Sequence, residues 1–440
     1  GASISVDGNA IFSGITTATT LRAPTGIVTS LEATTGDITT LRAPTGIVTS
    51  FVTNTAKVGA AVTITESGIE ASGIGITVAS INGGSISGRR NLIINGAMQV
   101  AQRGTSSSST SIYNTVDRIR NAYGTQDEIQ TNSQAALSSS DSPYTEGLRY
   151  YHRTQNGNQT SGAQAGSYVI RSYKIEAQNM AQSGWNYTNP NSFITLQFWV
   201  RSSVAQDYNF EFFTQDGTNQ TYSFIFTLAA NTWTKVIRTI PGNSNLQFDN
   251  DNGSGFTLNW YPYIGTTYTA SDTTLDAWHQ RTGTYRRTMT TTWFTTNDST
   301  FDITGVQLEV GTQATAFEHR SFTEELALCQ RYYCHTYSYG TYPGSNKDSV
   351  SEARQGMVFS YRQRDNNYQA FFWSMPVAMR AVPTQTMYSM LGTAGKASGS
   401  QTDYTVNTNS PHNGASGVMA YGINTIADDG YVHFVLDAEL

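Results

Sequence analysis

The chain has 440 residues, enough for two or three domains, with only 13% charged residues and a formal net charge of −6. That balance lacks the basic footprint of a nucleic-acid binder, and no apolar run approaches the roughly 18 residues that a membrane span needs. Aromatic residues reach 12%, with 25 Tyr, and Thr, Ser, Asn and Gln replace the missing charge, so the chain reads as ordered and β-rich with an uncharged polar surface.

The opening Gly-Ala-Ser in place of Met, with no signal peptide, reads as a processed product or fragment. Ile4 and Val6, the Asp7-Gly8 turn, then Ile11 and Phe12 predict a short hairpin. A repeat follows. TTLRAPTGIVTS stands at 19–30 and again at 39–50, and LEATTGDITT (31–40) keeps the same ten-residue frame. Leu21, Leu31 and Leu41 recur in it, with Phe51 in the next slot, and Val28, Ile38 and Val48 recur in step. Each such side chain stabilises by roughly 1.5–3 kcal/mol when fully buried, yet one slender unit cannot cover its own. The expected solution is several chains wrapped round one axis, a shaft over residues 1–88. Short β-branched segments punctuated by glycine continue that style through 60–84.

At Gly88-Arg89-Arg90 the composition changes, and 89–320 reads as a jelly-roll β-sandwich. Ile194, Leu196, Phe198 and Val200 share one face of a strand, with Trp199 on the other, and Tyr222, Phe224, Phe226 and Leu228 alternate in the same way. NTWTKVIRTI, FTLNWYPYIG, RTMTTTWF and FDITGVQLEV predict further strands. A helix is expected within 321–334, opened by Ser321 and Glu324 as a capping box, with Phe322, Leu326, Cys329 and Tyr333 on one apolar stripe. Cys329 and Cys334 are too few for a disulfide framework and read as free thiols, Cys329 in packing. Residues 335–440 form a last β-rich region, closed by a strand with Val432, Phe434 and Leu436 on one face. The fold class is therefore all-β: slender repeat shaft, jelly-roll sandwich, one short helix and a β-rich distal domain.

Sugar recognition is the chemistry this composition suits, because aromatic rings stack on sugar C–H faces while amides, carboxylates and guanidinium groups bond the hydroxyls. The candidates are Tyr337, Tyr339 and Tyr342 in a Gly/Pro-punctuated loop, and Tyr361, Arg362, Arg364, Asp365 and Tyr368 in a second segment. Trp260, Tyr261 and Tyr263 form a third candidate patch; for any one of these aromatics, core packing or interchain contact is the favoured reading over sugar binding. Asp249 and Asp251, with Gly253, begin like a calcium loop but lack the later Glu, so they read as a polar turn, with structural calcium as the alternative and no other cofactor expected. The carboxylates Asp207, Glu211, Asp216, Asp272 and Asp276 are scattered, and no spacing nominates a catalytic pair.

Three stretches, NLIINGAMQVAQRGTS (91–106) with VDR (116–118), ITGVQLEVGTQATAFEHRSFTEELALCQRYY (303–333) and FFWSMPVAMRAVPT (371–384), resemble tail-fibre and minor tail proteins of tailed bacteriophages, including those of cyanobacteria. The sandwich is also similar to jelly-roll carbohydrate-binding modules. The resemblance covers roughly 91–385 and implies a homotrimeric virion fibre, attached to other tail or baseplate proteins, that adsorbs to host cell-surface polysaccharide such as lipopolysaccharide without cleaving it. A tailspike-type enzyme that degrades the polysaccharide, and a structural connector of the tail, are the alternatives. Neither nucleic acid nor an inserted membrane is expected as a partner.

Overall fold

The computed structural model describes residues 2–4, 10–12, 55–58, 62–65, 68–71, 90–284, 286–346, 356–362, 368–398, 403–407, 414–423 and 430–440. The chain divides into two compact units, 1–77 and 78–440. In the first, β1 (Ala2–Ile4) pairs antiparallel with β2 (Ala10–Phe12), the expected hairpin. Strands β3 (Thr55–Val58), β4 (Val62–Thr65) and β5 (Gly68–Ala71) form an antiparallel meander. The ten-residue repeat, with Leu21, Val28, Leu31, Ile38, Leu41, Val48 and Phe51, lies outside the described residues.

The second unit begins with β6 (Ser106–Ser107), β7 (Arg120–Gly124), β8 (Thr131–Ala136), β9 (Tyr150–Gln155) and β10 (Tyr168–Glu176). It continues with β11 (Phe193–Ser202), β12 (Gln206–Thr214), β13 (Gln220–Leu228), β14 (Thr234–Pro241) and β15 (Ser254–Ile264). After β16 (Thr269–Ala270), β17 (Trp278–Gln280) and β18 (Arg286–Arg287), the long β19 (Thr300–Val310) completes a sandwich. Its two antiparallel sheets run β17-β13-β12-β15-β10-β7 and β14-β11-β19-β9-β8-β6.

Strict alternation builds the core between them. Ile194, Leu196, Phe198 and Val200 are fully buried, as are Tyr208, Phe210 and Phe212 of β12. Phe210 lies 4.8 Å from Phe224, 5.2 Å from Trp260 and 5.7 Å from Phe198 between ring centroids. Burying each ring fully contributes roughly 1.5–3 kcal/mol, and these rings belong to the main buried cluster of the unit. The β11–β19 ladder slips by one residue between Gln197 and Trp199, opposite Gly305. Gly305 has φ 61°, a conformation that favours glycine, and the bulge lets β19 curl with the sandwich.

Three expectations are corrected. Trp260, Tyr261 and Tyr263 form no surface patch: they are 0–3% exposed, because β15 is a central strand covered on both faces. RTMTTTWF is not a strand throughout; it begins in β18 and then turns into helix α1 (Thr292–Thr295), which drives Trp293 and Phe294 into the core. The capped helix, α2 (Phe322–Gln330), opens with the Ser321 side chain accepting from the Glu324 amide (3.3 Å), but it stops before Tyr333. Tyr333 belongs to a strand, and Phe322 is 41% exposed against Tyr339 instead of in the core.

Strand β20 (Tyr333–His335) opens the last sheet, followed by β21 (Val358–Arg362), β22 (Tyr368–Ser374), β23 (Thr384–Tyr388) and β24 (Lys396–Ser398). Strands β25 (Asp403–Asn407), β26 (Gly417–Ile423) and β27 (Tyr431–Asp437) complete it. Val432, Phe434 and Leu436 are all buried on one face, as the alternation predicts, with Cys334, Met387 and Phe371. Buried charge joins this sheet to the sandwich. Arg331 forks onto Glu176 (2.8 and 2.7 Å), which also accepts the Tyr332 hydroxyl (2.5 Å). Arg118 pairs with Glu439 and donates to the Lys174 carbonyl (2.7 Å).

Candidate functional site

Strand β27 is flanked by β20 on one side and β23 on the other. Register then sets side chains in cross-strand rows: Tyr333, Asp437 and Thr384 in one, His335, Val435 and Thr386 in the next. Because Cys334, Leu436 and Met387 alternate into the core, these rows stand on the opposite face. The leading segment of the sandwich crosses that face. Gln102 donates its side-chain amide to the Tyr333 carbonyl (2.7 Å), and the Gln102 carbonyl meets His335 Nε2 at 3.2 Å.

Between the two lies an open cleft of about 610 Å3, lined by Arg103, Ser107, Ser109, Ser111, Tyr113 and Asn114 from the sandwich side. Tyr333, Pro343, Thr384, Thr386, Tyr388, Val435 and Asp437 line it from the sheet side. Arg103 is its anchor. The guanidinium sits 3.6 Å from the Tyr333 ring centroid and pairs with Asp437 (3.1 Å), Glu439 (3.4 Å) and Asp117 (3.8 Å). Burial opposes its charge, but Glu439, Asp437 and Asp117 outweigh it and hold the group above the ordinary guanidinium range. Burial pushes the Asp117 carboxyl up to about 6, against Arg103 and the Gln102 hydrogen bonds. Burial likewise raises the Tyr113 phenol, which stays neutral and donates to the Leu440 carbonyl (3.0 Å).

This arrangement leaves usable groups at the mouth. The Asp437 side chain is 42% exposed, with one oxygen on Arg103 and the other accepting from the Glu439 amide (3.0 Å), so each oxygen keeps a free lone pair. Hydroxyls of Ser107, Ser109, Ser111, Thr384 and Thr386 surround it, and the half-buried Tyr388 ring forms an apolar wall. Hydroxyl donors and acceptors, one anchored carboxylate and an aromatic face together suit a polyhydroxylated, largely uncharged ligand.

The sequence-nominated residues divide around this cleft. Tyr337 is no sugar platform: it is 5% exposed, its ring stacks on His433 at 3.7 Å, and burial pushes its phenol up to about 12. Tyr339 is 45% exposed, but its ring meets Phe322 edge-on and its hydroxyl binds the 99–101 backbone. Tyr342 is half-buried and adjoins Pro343 at the rim. Tyr361 and Arg362 end β21 and Tyr368 begins β22, whereas Arg364 and Asp365 between them lie outside the described residues. Asp249 and Asp251 are exposed; Asp251 accepts from the Gly253 amide (2.9 Å) and Asp249 from Gln247 (3.0 Å), local bonds that make a polar turn. Among the described residues no three His, Cys, Asp or Glu side chains gather at metal-binding distance.

Sequence reasoning missed Arg103, Tyr113, Thr384, Thr386, Tyr388 and Asp437. Alternation in TQTMY (384–388) was the available signal, since it places two threonines and a tyrosine on one face. Their meeting with Arg103 depends on pairing across more than 280 residues of sequence, which no local pattern encodes.

The buried carboxylates of the sandwich are committed elsewhere. Asp302 accepts from Arg153 (2.8 and 2.9 Å) and Arg201 (3.0 Å). Glu211 pairs with Arg281 (3.1 Å) and Arg286 (3.0 Å); burial raises its pKa, but the two cations and the Tyr261 and Asn259 hydrogen bonds bring it below the ordinary range.

No family model matches the chain, and no curated protein does. Among solved structures it is similar to the enzymatically active domain of bacteriophage CBA120 tailspike protein 4, at 10% identity and a TM-score of 0.27, over 50% of this chain and 21% of that one. It is also similar to a carbohydrate-binding module (CBM4), at 8% identity and a TM-score of 0.26, over 49% of this chain and 97% of that one. A third likeness is to the apo form of a cyclase from Fischerella sp., at 9% identity and a TM-score of 0.29, over 52% and 98%. The chain spans about a fifth of the length of that tailspike chain. Likenesses this weak, to proteins with such different activities, decide nothing about the cleft, whose chemistry rests on its own residues.

Proposed function

We propose that this chain is a tail fibre of a tailed bacteriophage that adsorbs to the host by binding cell-surface glycan. The cleft between the sandwich and β23/β27 supports this reading: Tyr388, five hydroxyl side chains and Asp437 present the stacking face and hydrogen-bonding groups that a sugar chain needs. The described lining carries one carboxylate, Asp437, where glycosidic cleavage commonly uses two, so the proposed role is binding without cleavage. Tyr342 extends the rim, and the β21–β22 segment with Tyr361, Arg362, Arg364, Asp365 and Tyr368 is proposed as a second contact surface. In the fibre, three copies wrap their ten-residue repeats round one axis with Leu21, Leu31 and Leu41 inside. The opposite end then attaches to the tail, and three clefts give avidity to individually weak sugar contacts.

The test is titration of the full chain with purified host lipopolysaccharide or capsule oligosaccharide by calorimetry. Tyr388→Ala should weaken binding about tenfold, the equivalent of ~1.4 kcal/mol for a lost stacking face. Asp437→Asn should weaken it less. Wild-type affinity in both variants would move the site elsewhere, and sustained release of reducing ends would make the protein an enzyme.

A further inference from the structure

One end of the sandwich core is polar, and it carries a charge that no described residue balances. Strand β10 turns Val169, Arg171, Tyr173 and Ile175 inward, each 0–2% exposed. Several buried charges of this unit are matched by an opposite charge, as in Glu211 with Arg286, Asp302 with Arg153, and Arg118 with Glu439. Arg171 is different. Its Nε donates to Thr154 Oγ1 on β9 (2.6 Å) and its Nη1 to the Ile170 carbonyl (2.7 Å), while Nη2 has no partner among the described residues. No carboxylate among the described residues forms an ion pair with it.

Two further donors lie beside it. Trp260 is the cross-strand partner of Arg171 on β15; it is 0% exposed and its indole N–H has no acceptor among the described residues. His152 stands two residues before Thr154 on β9, hence on the same inward face, is 1% exposed, and has no partner among the described residues at either ring nitrogen. Burial and the Arg171 charge push its pKa well below the ordinary imidazole range, so the ring is neutral and offers one N–H. Asn121, the partner of Arg171 on β7, contributes an unpartnered amide oxygen. Water could bridge that neutral oxygen to the donors, but it would leave the guanidinium charge unmatched in a low-dielectric interior.

We propose that this end of the sandwich binds a small monovalent anion of halide size, held by Arg171 Nη2 with the N–H groups of Trp260 and His152. The ion supplies the counter-charge that the described residues do not, and fastens β10 to β9 across the two sheets. Because it neutralises a charge inside the core, its binding appears as stability and not as activity.

Two measurements on the full chain test this. Crystals grown in bromide should show an anomalous peak within hydrogen-bond distance of Arg171 Nη2. Protein refolded from denaturant in chloride should melt at a temperature that rises with chloride concentration, relative to gluconate at equal ionic strength. Arg171→Met should remove that dependence; if this variant does not fold, the wild-type chloride series and the bromide peak still decide. Water density alone at the site, or identical melting in chloride and gluconate, overturns the proposal. A bromide peak seen only at molar concentration with no stability shift marks an adventitious ion and also overturns it.

Discussion

Replacing Glu211 by Gln tests whether the sandwich depends on a buried charge cluster or merely tolerates it. Glu211 is fully buried on β12, and its two oxygens accept from Arg281 (3.1 Å), Thr221 (3.0 Å), Arg286 (3.0 Å), Asn259 (3.1 Å) and the Tyr261 hydroxyl. Glutamine keeps the shape, yet it removes the charge and turns an NH2 group toward some of those donors. The Arg281 side chain, 26% exposed, can turn to water, but Arg286, at 6%, cannot do so without disrupting β18. Removing one partner of a buried pair costs about 3–5 kcal/mol, a large share of the ~5–15 kcal/mol that a folded domain has. At about 2–4 °C per kcal/mol the melting temperature should fall by roughly 6–20 °C at pH 7, read by scanning calorimetry. The pH dependence has a defined sign. The folded pKa of Glu211 lies below its unfolded value, so its contribution is present above the ordinary carboxylate range and is lost as pH falls through the folded value. The deficit of Glu211→Gln should therefore shrink toward zero in acid. A variant within 0.5 kcal/mol of wild type at pH 7, or a deficit unchanged by acidification, would refute the reasoning.

The Asp117 carboxyl behaves in the opposite sense. Between the ordinary value of 3.8 and about 6 the folded chain holds a proton that the unfolded chain has released, so stability declines by about 3 kcal/mol as pH rises across that window. Urea titrations from pH 4 to 7 measure the slope, and Asp117→Asn should flatten it. Gly96→Ala should abolish soluble expression or lower stability by about 3 kcal/mol or more, because the added Cβ would strike the Val306 carbonyl, a backbone atom of the central strand β19 that cannot step aside. Circular dichroism melting distinguishes this from a harmless substitution. Both cysteines should resist thiol reagents in the folded protein: each is buried, and burial pushes Cys334 up to about 12 and Cys329 well above the ordinary thiol range. Two thiols reacting at the rate of model peptides under native conditions would contradict this.

Much of the fold was legible locally. The alternation in β11, β12, β13 and β27 specifies both strand and buried face, because a one-residue slip would expose every Phe and Leu they carry. The hairpin at 2–12, the Ser321 cap and the polar turn at 249–253 likewise follow from short-range chemistry. What lay beyond the sequence is whatever depends on an element's position in a sheet. FTLNWYPYIG reads as a strand whose aromatics favour packing without saying which of its faces is covered, and its central place in the sheet, covered on both faces, buries Trp260 and Tyr261. Tyr337 and Tyr342 look alike in the sequence, yet the first falls in register beside β27 and stacks on His433 while the second stays at a rim. The cleft is the extreme case. Its halves come from residues 103–114 and 333–437, brought together by β27 lying between β20 and β23 and by Arg103 reaching carboxylates near the far end of the chain. Local pattern determines which way a side chain faces; which surface it then meets is decided by pairing over hundreds of residues, where the sequence carries no periodic signal.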